Sequence, residues 1–216
     1  MRRRTCVQGA AGLLMAATGL TVRASSYEDW FRYIELDLGR EIQKLLQTGF
    51  DGNAVNPRGL SGLYLALREG SNTVVPVLLS WPGIALDAQN AMGETPLMMA
   101  ALKGRTDVMN TLIQHGVRIN KDGWTPLHYA AAGPNPDAVE LLLAHGAVLD
   151  AVAPNGNTPL MMAAGYGAID GARLLLRRGA DARPRNQAGR QAADLAKSAD
   201  RIGLAQELRD AAAAAP

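Results

Sequence analysis

The sequence predicts an all-α protein, a solenoid of stacked helix-turn-helix units joined by β-hairpin-like loops. Three observations predict it. A short unit recurs as Gly93-Glu94-Thr95-Pro96-Leu97-Met98-Met99-Ala100-Ala101, Gly123-Trp124-Thr125-Pro126-Leu127-His128-Tyr129-Ala130-Ala131 and Gly156-Asn157-Thr158-Pro159-Leu160-Met161-Met162-Ala163-Ala164. Turn glycines at Gly59, Gly93, Gly123, Gly156 and Gly189 are separated by 34, 30, 33 and 33 residues. The glycines expected to end second helices, Gly49, Gly83, Gly116, Gly146 and Gly179, are separated by 34, 33, 30 and 33. Two independent series share one period, which marks a repeat architecture.

Each part of the unit has a local physical reason. Thr caps a helix start, Pro fits the first helical position where its missing N–H costs nothing, and Leu followed by paired Ala makes a slim apolar face that packs closely. Second helices follow near Val74 to Leu79, Val108 to Ile113, Ala138 to Leu143 and Ala168 to Leu176. A helix pair of this kind cannot bury both of its apolar faces alone, so neighbours stack and the ends need polar outer surfaces. At the N-terminal end, Ser26 precedes Asp29 at a helix start, and Trp30, Ile34 and Leu38 share one face. Arg40 to Thr48 follows, with Ile42, Leu45 and Leu46 inward and Gly49 as the left-handed terminator. The unit from Gly59 replaces Thr-Pro-Leu by Ser61-Gly62-Leu63, a weaker helix start. The last unit lacks Thr-Pro-Leu altogether, and Asp200 to Ala213 is rich in Gln, Glu, Arg and Asp, as a C-terminal cap should be, with an Ala-rich tip expected to fray.

At this point the chain resembles the ankyrin-repeat family, whose period is about 33 residues and whose signature is T-P-L-H-x-A. The resemblance covers residues 27 to 213 and is most specific in the three units quoted first. It divides the chain into a domain over 25–216 with units at 27–58, 59–92, 93–122, 123–155, 156–188 and 189–214.

Residues 1–24 stand apart. Arg2-Arg3-Arg4, an apolar run and Val22-Arg23-Ala24 read as a secretory signal peptide cleaved after Ala24. The run from Val7 to Val22 falls short of the roughly 20 residues that a spanning helix needs. Arg3-Arg4 ahead of Cys6-Val7 also partly fits a twin-arginine signal, so the export route stays open. Of 22 basic residues, Arg2, Arg3, Arg4 and Arg23 leave with this segment, and 18 against 20 acidic gives a net charge of −2. Such a chain, without a Lys/Arg block, lacks the footprint of a nucleic-acid binder. The single cysteine, Cys6, leaves too, so no disulfide or thiolate metal site is expected, which suits an oxidising compartment such as a bacterial periplasm.

Two departures cluster in the middle repeat. From Gly116 to Gly123 there are 7 positions, whereas the other four fingers take 10, and Pro134 stands where companion units have Gly104 and Gly167. The short finger is expected to leave a recess in the hairpin row with Trp124 beside it.

No catalytic constellation is visible: no nucleophile, base and orienter set, no paired carboxylates, no phosphate-binding loop. His128 occupies the signature's own histidine, which the resemblance assigns to hydrogen bonding between helix starts and loops. His115 and His145 precede helix-ending glycines and read as C-terminal caps. The methionines raise a second hypothesis, a metal- or haem-linked accessory protein in periplasmic oxidative defence, since thioethers suit Cu(I). Met98-Met99 and Met161-Met162, however, sit at equivalent repeat positions where packing alone selects a flexible apolar residue, so no cofactor or metal ligand is assigned.

Ankyrin-like proteins bind mostly through hairpin tips and the concave face of their first helices. The resemblance therefore implies a non-enzymatic, monomeric module that binds an unidentified protein, with contact residues Arg58, Leu60, Met92, Glu94, Lys103, Lys121, Asp122, Trp124, Asn155, Asn157, Tyr166 and Arg190. Trp124 and Tyr166 are singled out because aromatic anchors dominate interface energetics.

Overall fold

The computed structural model describes residues 26–214, which form twelve helices arranged as six antiparallel pairs. The expected signal peptide over 1–24 lies outside the described residues. The pairs are α1 (26–35) with α2 (Gly39–Gln47), α3 (Gly62–Glu69) with α4 (Val74–Ser80), α5 (Pro96–Leu102) with α6 (Thr106–Gln114), α7 (Pro126–Ala132) with α8 (Pro136–Ala144), α9 (Pro159–Gly165) with α10 (Ile169–Arg177), and α11 (Ala192–Ser198) with α12 (Ile202–Ala214). The first helices of neighbouring units pack side by side, α3 on α5, α5 on α7, α7 on α9 and α9 on α11, which is the stack the period demands.

Helix starts follow the sequence chemistry. Thr95 and Thr158 accept from the backbone N–H of Met98 and Met161 at 3.2 and 3.4 Å, and Pro occupies the first turn of α5, α7 and α9. Ser61 does the same for Tyr64 N–H at 3.3 Å. Beside it, a Cβ on Gly62 would stand 3.0 Å from the Trp30 ring, so the missing Pro at that position leaves room for the tryptophan of the N-terminal pair. One core runs the length of the stack, from Trp30 and Ile34 through Leu63, Leu97, Leu127 and Leu160 to Leu195 and Leu208.

The N-terminal pair differs from expectation in one respect. Its first helix stops at residue 35, Asp37 takes a left-handed conformation with φ 54°, and Leu38 is exposed, outside the face formed by Trp30 and Ile34. The turn has a purpose: the Asp37 carboxylate accepts backbone N–H bonds from Asn72, Thr73 and Val74, capping α4 of the next repeat from outside. At the other end the Ala-rich tip stays helical through Ala214.

The fingers share one device. A backbone bond closes each loop, from Asn56 N–H to Leu60 C=O, Asn90 to Glu94, Ala153 to Asn157 and Asn186 to Arg190, all at 2.9 to 3.0 Å. The finger between α6 and α7 carries no such bond among the described residues. Asn120, which by count from Gly123 should sit at the closing position, instead bonds the next finger, donating to Gly146 C=O at 2.8 Å and accepting from Val148 N–H at 2.9 Å. That is what Asn53 does toward Gly83 and Ala85. Three residues are therefore missing from the tip, while the inter-repeat tie is kept. No helix among the described residues is long and apolar enough to cross a membrane.

Candidate functional site

Two depressions lie near the short finger. On its outer flank a recess of about 430 Å³ is bounded by Asn120, Asp122, Val148 and Val152, and Val152 is 63% exposed. On the concave side, a smaller hollow of about 230 Å³ is lined by Leu102, Trp124, His128, Tyr129, Ala132 and Met162. Trp124 is half-buried, with its ring edge-on to Tyr129 at 6.4 Å and to His128 at 5.3 Å between centroids.

Beside the hollow lies a polar cluster spanning three repeats. Glu94 accepts from the Tyr129 hydroxyl at 2.7 Å, the Tyr64 hydroxyl at 2.6 Å and the Asn90 amide at 2.8 Å. Burial alone would raise the Glu94 pKa, but these three donors outweigh it and hold the carboxyl below its ordinary value. Burial, and then the Glu94 carboxylate, push both tyrosines above theirs. The carboxylate is thus ionised, and among the described residues no cation pairs with it.

His128 lies beneath the hollow and is fully buried. Its Nδ1 accepts the backbone N–H of Thr125 at 3.2 Å and lies 2.9 Å from the Thr125 hydroxyl, while Nε2 is 3.1 Å from Asn157 C=O. Because Nδ1 accepts an N–H and Nε2 faces a carbonyl, the ring is the neutral Nε2–H tautomer. It ties a helix start to the next finger. Burial lowers its pKa. In the preceding repeat Met98 takes the same place, its sulfur accepting Thr95 N–H at 3.4 Å. Met98 and Met161 are fully buried at this position, and Met99 nearly so, which is packing and capping geometry. At the C-terminal end of α8, His145 Nδ1 lies 2.8 Å from Leu141 C=O, as a cap does.

The expected contact residues divide into three groups. Arg58, Met92, Lys103, Asp122, Asn155 and Tyr166 are exposed, Met92 at 73% and Tyr166 at 64%. Trp124, Lys121 and Arg190 are half-buried; the Lys121 ammonium reaches the carbonyls of Asp122 and Trp124 at 3.1 and 3.5 Å. Leu60 and Asn157 are corrections, since each is only 6% exposed and neither can meet a partner. Leu60 packs into the core, and the Asn157 side chain is bonded to Asn186 and to the Met162 sulfur. Glu94 is corrected in part: it lies on the concave face, half-buried and engaged by its own tyrosines. Tyr129 and Met162 belong to this face, the buried Tyr64 supports it by donating to Glu94, and none of the three was singled out in the sequence. The available signal was Tyr129 standing where companion units carry Leu65, Met99 and Met162, because a buried phenol needs a partner for its hydroxyl.

Among solved structures, the chain is similar to the immunity protein in the complex of the Bd0816 predatory endopeptidase from Bdellovibrio bacteriovorus with immunity protein Bd3460. The two share 28% identity with a TM-score of 0.70 over 84% of this chain and 96% of that one. The family model described as "Ankyrin repeats (3 copies)" matches residues 37–122 and 116–186, most of the stack just described, and the protein belongs to the ankyrin-repeat family.

Proposed function

We propose that this protein is an exported, non-enzymatic docking module of the bacterial envelope that binds one partner protein with its concave face and adjoining finger tips. The observation that carries the reading is the hollow walled by Trp124, Tyr129 and Met162, an aromatic-lined depression on the face that ankyrin stacks use for partners. A stack of this kind presents preordered side chains, so little ordering entropy is lost on docking. Export is supported by the N-terminal sequence pattern and by a mature chain without cysteine. The likeness to an immunity protein in complex with an endopeptidase favours an endopeptidase as the class of partner, held inactive or out of reach until needed.

The test is cross-linking in the native envelope followed by reconstitution with the purified partner. Trp124→Ala should weaken the reconstituted complex at least roughly tenfold, as hot-spot truncations do, with an unchanged melting temperature. Unaltered affinity in that variant would mean that another face binds.

A further inference from the structure

Resting on that docking reading, we propose that the concave hollow is an anchoring pocket for one arginine side chain of the partner, its stem against Leu102, Ala132 and Met162 and its guanidinium on the aromatic wall of Trp124 and Tyr129, on the side of the Glu94 carboxylate.

Size limits the occupant first. At about 230 Å³ the hollow falls below the roughly 300–1,000 Å³ of small-molecule sites, and suits a single side chain. The walls then select its chemistry. Trp124 and Tyr129, in edge-to-face contact with each other, both line the hollow, and guanidinium packs on an aromatic wall better than ammonium does. The third argument is charge. Tyr129 forms one wall of the hollow, and its hydroxyl ends on Glu94, so a carboxylate stands one ring's length from the cavity. Three neutral donors hold that carboxylate in place, yet among the described residues no cation pairs with it.

The nearest cations do not serve. Arg68, the cation that acts on Tyr64, is paired with Glu69; Lys121 is engaged with the Asp122 and Trp124 carbonyls, and Lys103 is exposed, where solvent screens it. His128 is buried with both ring nitrogens engaged. Any partner that covers this face strips water from Glu94, and an ionised carboxylate left without a counter-charge opposes docking. A partner arginine removes that penalty and fills the cavity with one group. Arginine is also the charged residue most enriched among interface anchors, alongside Trp and Tyr.

The probe is N-acetyl-L-arginine methylamide, with the neutral citrulline analogue and the lysine analogue as controls, followed by the indole N–H resonance of Trp124. The arginine probe should give a saturable shift with a dissociation constant on the order of millimolar, at least about tenfold tighter than citrulline. Glu94→Gln, whose carbonyl oxygen still accepts from one tyrosine while its amide donates to the phenol oxygen of the other, should erase the gap between arginine and citrulline, and Trp124→Leu should weaken both. Melting temperatures near that of the wild type establish that both variants fold. Equal affinity for arginine and citrulline, a lysine analogue that binds as well as arginine, or no saturable shift would each overturn the proposal. A partner complex sensitive to Trp124→Ala but indifferent to Glu94→Gln would remove the arginine and leave the docking reading standing.

Discussion

At the scale of single residues, the middle repeat turns on His128. Its neutral ring satisfies the Thr125 N–H and the Asn157 carbonyl inside the stack, and burial lowers its pKa. A histidine whose folded pKa is depressed binds its proton more readily when unfolded, so its contribution is complete above an unfolded pKa of about 6.5 and is lost as pH falls below that. Stability should fall on acidification from pH 7.5 to 5.5, with a His128 contribution of at most ~1.4 kcal/mol per pH unit. The carboxylates held low, Asp37 and Glu94, act in the same direction but only in more acidic solution. Met98 shows which residue can replace the ring, because its sulfur caps Thr95 in the same register. His128→Met should cost about 0.5–1.5 kcal/mol at pH 7.5, from the lost ring N–H bond to an Asn157 carbonyl that keeps the Ala153 N–H, and should flatten the slope between pH 6.5 and 5.5. Urea titrations at the two pH values read both quantities, and a variant with the wild-type slope would show that another group titrates. This role was legible in the motif; the exposure of the residue after each turn glycine was not. That position carries Leu60, Glu94, Trp124, Asn157 and Arg190, and it turns beneath the following helix start. Whether its side chain reaches solvent depends on the neighbouring repeat, which the residue's own sequence context does not specify. Leu60 and Asn157 disappear while Trp124 does not.

At the scale of elements, equivalent positions in the repeat are held by different constraints. Gly104 and Gly167 both follow a first helix, yet only Gly104 is left-handed, at φ 67°. Gly167 is required for room: a Cβ there would stand 1.8 Å from the Ala131 carbonyl oxygen, where the α9 to α10 link crosses the previous repeat. That contact is backbone against side chain, so it has no rotamer by which to escape. Gly167→Ala should destabilise by at least about 2 kcal/mol, as overpacked sites do. Gly203→Ala in α12 meets nothing within 4 Å and should stabilise by about 0.5 kcal/mol through the unfolded chain. Midpoints of urea unfolding at constant m check the pair, and a tolerated Gly167→Ala would mean that the link can shift away from Ala131. The middle link solves the same crossing differently, with Asn135 capping α8 and its amide donating to Gly104 C=O at 3.1 Å. The ten-to-seven shortening of the adjacent finger was legible from glycine spacing alone. What the spacing could not tell is that Asn120 would give up the loop-closing role and keep the inter-repeat one.

At the scale of the whole molecule, stability is set by layers that touch only their neighbours, so the ends matter more than their composition suggests. The α11–α12 pair covers the open side of α9, and Arg201 in the link between them donates to the Ala163 and Ala164 carbonyls at 2.9 and 3.2 Å, capping the C-terminal end of α9. Removing residues 189–216 would therefore uncover the Ala163 and Ala164 face and take the Arg201 donor from both carbonyls, of which Ala163 keeps the Gly167 N–H at 3.2 Å. In a stack governed by nearest-neighbour coupling the loss should be graded. Amide exchange should show α9 and α10 losing most of their protection, while α3 to α6, two layers away, keep theirs within about tenfold. The uncovered apolar layer should also make the truncated chain self-associate more strongly than the full chain in sedimentation at equal concentration. Arg201→Ala in the full chain isolates the cap from the burial: protection should fall in α9 and α10 alone, by the order of one unmade charged hydrogen bond, about 1.5–3 kcal/mol. If protection instead collapsed uniformly from α3 to α10, the six pairs would be folding as one cooperative block, and the concave surface could not be altered at one repeat without disturbing the rest.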